Sequence, residues 1–322
     1  MKKKILALLV TLLLCATTLT GCQVDSPKIC YTVYPIEYLV EKLAGDKVQL
    51  YSISNNDIVL RSQIVDNFQD ILADADLLLY VGQVEPYMHI YLPEIRENKD
   101  LDIIDLANTT SIYNFNRYTE VTVGESSLFV ESPYYDSSVF NSIDTYDKDP
   151  YIWMDPIAMT SVASQIKDWL VVNYTEESDY FEQQYELLET ELARLDSEFQ
   201  VLRMSENHIK IVTMTPSFGA WQKNYNIDVY PVILSRYGVL PTDEQLQLIE
   251  QRIVNDDVKY IVYESNMTAD MITLFNKIKD DLGLVQIDLS NLSSLTDQQI
   301  ADNKDYIQLM YENLSVLENL VE

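Results

Sequence analysis

The chain has 322 residues, 51 of them acidic against 22 basic, for a formal net charge of −29. That balance excludes a nucleic-acid-binding surface and repels anionic lipid, while 47% apolar residues suffice to bury the cores of two domains. With 7 glycines there is neither a GxGxxG nor a GxxxxGK[ST] phosphate loop, and with 2 histidines there is no Ser-His or Cys-His nucleophile pattern, so an enzyme is not expected.

The amino terminus reads as a targeting segment. Lys2, Lys3 and Lys4 form a basic start, and Ile5 to Leu14 is an apolar run too short to span a bilayer comfortably. The segment ends in Leu19-Thr20-Gly21-Cys22, which resembles the lipobox of bacterial lipoproteins. A signal peptide over 1–21 and a lipidated Cys22 are therefore expected, giving membrane attachment through acyl chains at the extracytoplasmic face. Cys15 leaves with the signal, and Cys30, in an apolar run, is expected to be a buried small hydrophobe.

After a polar tether at 23–27, Lys28 to Tyr34 reads as a strand stopped by Pro35, Ile36 to Gly45 as a helix, and Lys47 to Ile53 as a second strand. This βαβ opening predicts a parallel sheet. A polar loop, Ser54 to Asp57, leads through Ile58 to Gln63 into a helix carrying Phe68, Ile71 and Leu72. Ala75 to Gly82 is a buried strand, and Val84-Glu85-Pro86-Tyr87 starts another helix. Residues 109–148 are rich in Tyr, Ser and Asp, with one candidate strand at Glu120 to Val123; the segment reads as a mobile loop near the first lobe. Next comes Asp149-Pro150-Tyr151-Ile152-Trp153-Met154-Asp155-Pro156, whose prolines enforce a stiff, extended backbone. It feeds a helix with Ala158, Val162, Ile166, Trp169 and Leu170 on one face. From 176 to 204 an apolar stripe of Phe181, Tyr185, Leu188, Leu192, Leu195, Phe199 and Leu202 predicts one long helix. The remainder repeats βα logic. Strands are expected at Ile209 to Met214, Val258 to Glu264 and Leu284 to Asp288, with a helix starting at the capping box Thr242 to Gln245, another from Thr268 to Gly283, and Thr296 to Gln299 opening the carboxy-terminal segment.

The Asp149–Pro156 spacing resembles the Asp-Pro-His-x-Trp-x-Asp-Pro signature of the zinc and manganese solute-binding proteins of ABC importers, with Tyr151 where that family has His. Tyr34 to Val48, the Ala75-Asp76-Leu77 strand with Gly82 and Glu85-Pro86-Tyr87, Leu240-Pro241-Thr242, Val258 to Glu264 and Tyr311 to Leu317 look like segments of the same family. The resemblance covers 28–322 apart from the irregular loop. It implies an α/β fold of two lobes, each a parallel sheet flanked by helices, joined by one long linker helix. The corresponding divisions are 22–175, 176–206 and 207–322. It also implies a monomeric substrate-binding lipoprotein that captures a solute, zinc or manganese, between its lobes for delivery to an ABC permease. The alternative is a scaffold without transition-metal binding that serves adhesion or binds another partner.

The family's four ligand places fall on Leu60, Tyr151, Thr215 and Asp288. Tight zinc sites want imidazole, thiolate or carboxylate, and only Asp288 is a strong donor. An oxygen-only set of Tyr151, Glu264 and Asp288 would suit harder cations and bind weakly. His89 and His208 are too far apart in sequence to be expected at one site.

Overall fold

The computed structural model describes residues 26–55, 58–124, 126–205 and 208–321. The signal segment and Cys22 lie outside the described residues.

The first lobe runs β1 (Lys28–Tyr31), α1 (Tyr34–Ala44), β2 (Gln49–Ser52), β3 (Ser54–Asn55), β4 (Gln63–Ile64), α2 (Phe68–Ala73), β5 (Leu77–Tyr80), α3 (Met88–Ile95) and β6 (Asp102–Asp105). Its sheet has the order β2-β1-β5-β6, parallel throughout. Covering helices explain why Leu77, Leu78, Leu79 and Tyr80 are all buried in β5, with no polar face. Pro35 opens α1, whose Ile36, Leu39, Val40 and Leu43 face the core, and Gly45 closes it at φ +57°. Cys30 is buried in β1, where burial pushes its thiol up to about 12, as suits an inert hydrophobe.

The irregular stretch expected at 109–148 contains an antiparallel strand pair, β7 (Arg117–Val123) and β8 (Ser126–Ser132), in register from Arg117 against Ser132 to Val123 against Ser126. It packs against the second lobe and not the first. Arg117 Nη2 lies 3.3 Å from Asp256 Oδ2 and 3.8 Å from Asp228 Oδ2, and it donates to the Tyr230 hydroxyl at 3.2 Å. The Tyr118 amide donates to Gln222 Oε1 at 3.2 Å. Only Arg117 and Tyr118 of β7 are buried, so the strand lacks the apolar alternation that would have announced it.

Helix α4 (Pro156–Asn173) is followed by the long α5 (Ser178–Arg203), 26 residues or roughly 39 Å at about 1.5 Å per residue. Phe181, Leu188, Leu192, Leu195, Phe199 and Leu202 are buried along it, as the stripe predicts, and Tyr185 is half-buried. The second lobe comprises β9 (Lys210–Thr213), α6 (Ala220–Tyr225), β10 (Asp228–Pro231), α7 (Asp243–Asn255), β11 (Tyr260–Tyr263), α8 (Ala269–Leu282), β12 (Val285–Asp288), α9 (Asp297–Ala301) and α10 (Tyr306–Val321). Its sheet order, β10-β9-β11-β12, is again parallel. Helix α5 packs on α1 and α4 at one end and on α6 and α10 at the other, so a single rod is shared by both cores. The expected capping box is present at Thr242 with Gln245, and a second is found at Thr296 with Gln299.

Candidate solute site at the lobe junction

The Asp-Pro segment is fixed by its own acids. Asp149 Oδ1 accepts from the Tyr151 amide at 3.0 Å, and Asp155 Oδ1 caps α4 by accepting from the Ile157 and Ala158 amides at 2.9 and 3.1 Å. Between them a 3-10 turn, Ile152–Met154, is pinned to the second lobe. The Trp153 indole donates to the Asn291 carbonyl at 2.9 Å, the Tyr306 hydroxyl to the Trp153 carbonyl at 2.7 Å, and the Trp221 indole to the Met154 carbonyl at 3.0 Å. Gly219 has no Cβ to collide with the Asp149 carboxylate, which packs against it. Burial raises that carboxyl to about 7.

Tyr151 is buried, edge-on to Trp153 at 5.3 Å and to Tyr146 at 6.0 Å. Burial, then the neighbouring Tyr146, hold its phenol far above the ordinary tyrosine range. A neutral phenol in an aromatic setting is a poor metal donor.

Glu264, at the end of β11, is fully buried. One oxygen accepts from the Met214 and Thr215 amides at 3.0 and 2.8 Å, the other from the Thr215 hydroxyl and from Asn291 Nδ2 at 2.7 Å. Burial raises its pKa against the pull of these donors. Thr215 shares its hydroxyl with Ser217 at 2.7 Å, and Asn291 pairs with Asn266, which also reaches Ser293 at 2.9 Å. The result is a closed polar network rather than a set of free donors.

Tyr151, Thr215 and Glu264 thus fall in one neighbourhood, the field of Glu264 reaching the Tyr151 phenol. Asp288 stands apart from them. It is exposed at the end of edge strand β12, and its carboxylate accepts from Gln286 at 2.9 Å. Asn291, three residues on, provides the contact to Glu264 from this segment. Leu60 is buried in a 3-10 turn, Val59–Arg61, and offers no donor.

Its neighbour Arg61 is the residue that sequence reasoning missed. Nε and Nη2 donate to the Gly238 carbonyl at 3.1 and 2.7 Å, Nη1 to Thr268 Oγ1 at 3.2 Å, and Nη1 and Nη2 to the two Asp270 oxygens at 3.0 and 2.9 Å. This guanidinium crosses from the first lobe to the second and grips it bidentately. It holds the Asp270 carboxyl far below the usual range. Nothing local marked Arg61 in the sequence, because its partner Asp270 lies 209 residues away.

These residues do not fit a tight zinc site. Among the described residues no group of three or more His, Cys, Asp or Glu could hold a metal ion. His89 is exposed, and His208 lies 3.1 Å from Asp228, beside the β7–β8 pair. Glu85, a further buried carboxyl, accepts from the Thr32 hydroxyl, and burial raises it to about 8.

A cavity of about 380 Å³ opens where the carboxyl ends of β1 and β2 face the segment after β12. From the first lobe come Tyr31, Tyr34, Glu37, Glu41 and three hydroxyl residues; from the second come Ser293, Ser294, Leu295 and Ile300. Crevices at strand carboxyl ends are where open α/β sheets bind ligands.

A family model described as "Zinc-uptake complex component A periplasmic" matches residues 29–320. The zinc-binding lipoprotein AdcA of Streptococcus pneumoniae is 21% identical over 330 aligned positions, covering 99% of this chain but 61% of that protein. The chain therefore spans about three fifths of that relative. In fold, the periplasmic zinc binding protein TroA from Treponema pallidum superposes with a TM-score of 0.72 at 17% identity, covering 92% of this chain and 100% of that one. A mutant of the laminin-binding adhesin Lmb from Streptococcus agalactiae gives 0.71 at 18% identity, covering 91% and 99%. The two-lobed architecture is common to all of these structures, and the chain belongs to the family of periplasmic A components of zinc-uptake complexes.

Proposed function

We propose that the chain is the solute-capturing component of an ABC importer of the metal-uptake type, held at the extracytoplasmic face by a lipid on Cys22 and delivering to a membrane permease as a monomer. The observation that carries this reading is the family match across nearly the whole mature chain, together with two parallel-sheet lobes meeting at their ligand-bearing ends. No helix among the described residues is long and apolar enough to cross a membrane, so attachment rests on the Leu19-Thr20-Gly21-Cys22 motif. Zinc is the cargo that the family description names. The oxygen set Tyr151, Glu264 and Asp288 that would suit weak binding of hard cations is not assembled on this chain, since Asp288 is exposed and apart and Glu264 is committed to Thr215 and Asn291. Adhesion belongs to the printed title of one structural neighbour, and no feature of this fold favours it here.

Affinity purification of the full-length chain from membranes of its own cells tests the reading. A permease and its ATPase subunit are expected to co-purify. Recovery of the chain with neither contradicts it. Cys22→Ala is expected to move the protein from the membrane to the soluble fraction, and retention after detergent-free washing contradicts the anchor.

A further inference from the structure

The interior of the lobe junction is filled by side chains that already have partners, so the solute needs another place. The cavity at the strand ends is lined by residues of both lobes, at the carboxyl ends of the first-lobe strands. Its lining holds two carboxylates, Glu37 and Glu41, one helical turn apart on α1, and no lysine, arginine or histidine. Lys42, next in sequence, is turned to Asp305 at 3.1 Å and lies over the Tyr38 ring. Negative potential in the cavity is thus not neutralised from within its lining, which disfavours any anion.

Size and donor types narrow the choice of cation. A space of about 380 Å³ is large for a bare metal ion and is in the range that holds a small organic molecule. Two phenol rings, Tyr31 and Tyr34, lie in the lining, and aromatic faces attract ammonium groups while adding apolar contact for carbon chains. The lining hydroxyls of Ser52 and Ser293 are already hydrogen-bonded, to Ser54 and to Asn266 and Asn291, so the acids and the rings carry the recognition.

We propose that this cavity is a binding site for a small organic cation, a primary amine or quaternary ammonium compound, held by Glu37 and Glu41 against the Tyr31 and Tyr34 rings and closed by Ser293 and Ser294 of the second lobe. The state of the acids agrees with this. Burial raises the Glu37 carboxyl against a hydrogen bond from Tyr31, and burial and then Glu37 raise Glu41 against the pull of Lys42. This assignment rests on the receptor reading and names its solute class.

The test is calorimetric titration of the full-length protein in detergent with spermidine and with choline, at physiological salt to screen the acidic surface. One of the two is expected to bind with 1:1 stoichiometry at a dissociation constant on the order of 10 µM. Glu37→Gln is expected to weaken that binding about tenfold or more, the equivalent of about 1.4 kcal/mol. Ile300→Trp, an exposed rim position on the second lobe, is expected to weaken it by narrowing the mouth. Failure of both probes to bind below about 1 mM overturns the proposal. So does binding that neither variant changes, which would be association with the acidic surface. Recovery of a permease alongside such a failure removes this ligand class alone. Specific amine binding with no permease recovered leaves the cavity and removes the importer.

Discussion

Glu264 carries four hydrogen bonds inside the second lobe, and every partner can donate. A glutamine there would set an NH2 group against donors. Glu264→Gln is therefore expected to lower stability by about 1–3 kcal/mol, read as a fall in the denaturation midpoint. An unchanged midpoint would mean that the network around Thr215 and Asn291 is not formed. Two other buried acids give a pH dependence. Glu85 rises from 4.5 to about 8 and Asp149 from 3.8 to about 7, both through burial. A carboxyl raised on folding binds more protons in the native state, so its stabilisation is complete at low pH and is lost as pH climbs through the raised value. The melting temperature is expected to fall between pH 4.5 and pH 8 from this source, and Glu85→Gln, which mimics the protonated form, should lessen the fall. A Glu85→Gln profile parallel to that of the wild type would contradict the assignment. At this scale the sequence was only partly legible. Tyr151 and Thr215 could be placed by spacing. Asp288 could not, because strand alternation puts Ile287 inward and Asp288 outward at the end of β12, and Asn291 makes the contact to Glu264 instead.

Among the elements, α5 was the most readable, since a stripe at alternating steps of four and three has no other common explanation. Leu192 sits at its centre, fully buried. Leu192→Asn is expected to cost about 2–5 kcal/mol in chemical denaturation, and a loss below that range would mean the stripe is not shared by the two cores. The β7–β8 pair was legible only in part: the candidate strand at Glu120 to Val123 lies within β7, but its partner β8 and its docking on the second lobe left no apolar pattern. Most of its side chains face solvent, and its attachment rests on Arg117 reaching Asp228 and Asp256, over a hundred residues further along. Without Arg117, Asp256 keeps Arg252 at 2.7 Å and Asp228 keeps His208 at 3.1 Å, so the loss is that of the Arg117 hydrogen bonds and packing. Arg117→Ala is thus expected to destabilise by about 1–3 kcal/mol and to expose the 117–132 segment to protease, whereas a midpoint and cleavage pattern like those of the wild type would show that the pair docks without it.

For the whole molecule, the spine α5, the pinned Asp-Pro segment and the Arg61 clasp together hold the lobes against one another. The clasp is partly exposed, Arg61 at 31% and Asp270 at 48%, and exposed ion pairs are worth about 0–1 kcal/mol, so its loss should show in lobe separation more than in melting. Arg61→Ala is expected to increase the radius of gyration in small-angle scattering, and an unchanged value would mean the lobes are held without it. Parallel sheets and one long helix were readable from local periodicity, whereas the two lobes and the joining role of that helix came from the family resemblance. The manner in which the lobes meet was not, because every contact that closes them joins residues far apart in sequence.

Calorimetric titration of the full-length protein with zinc and manganese bears most directly on what this junction can do. Leu60 offers no donor, the Tyr151 phenol is held neutral, and Thr215 and Glu264 are committed to each other. Neither metal is expected to bind with a dissociation constant tighter than about 1 µM. Zinc binding at about 1 nM that Glu264→Gln abolishes would contradict this and make the junction a metal site after all.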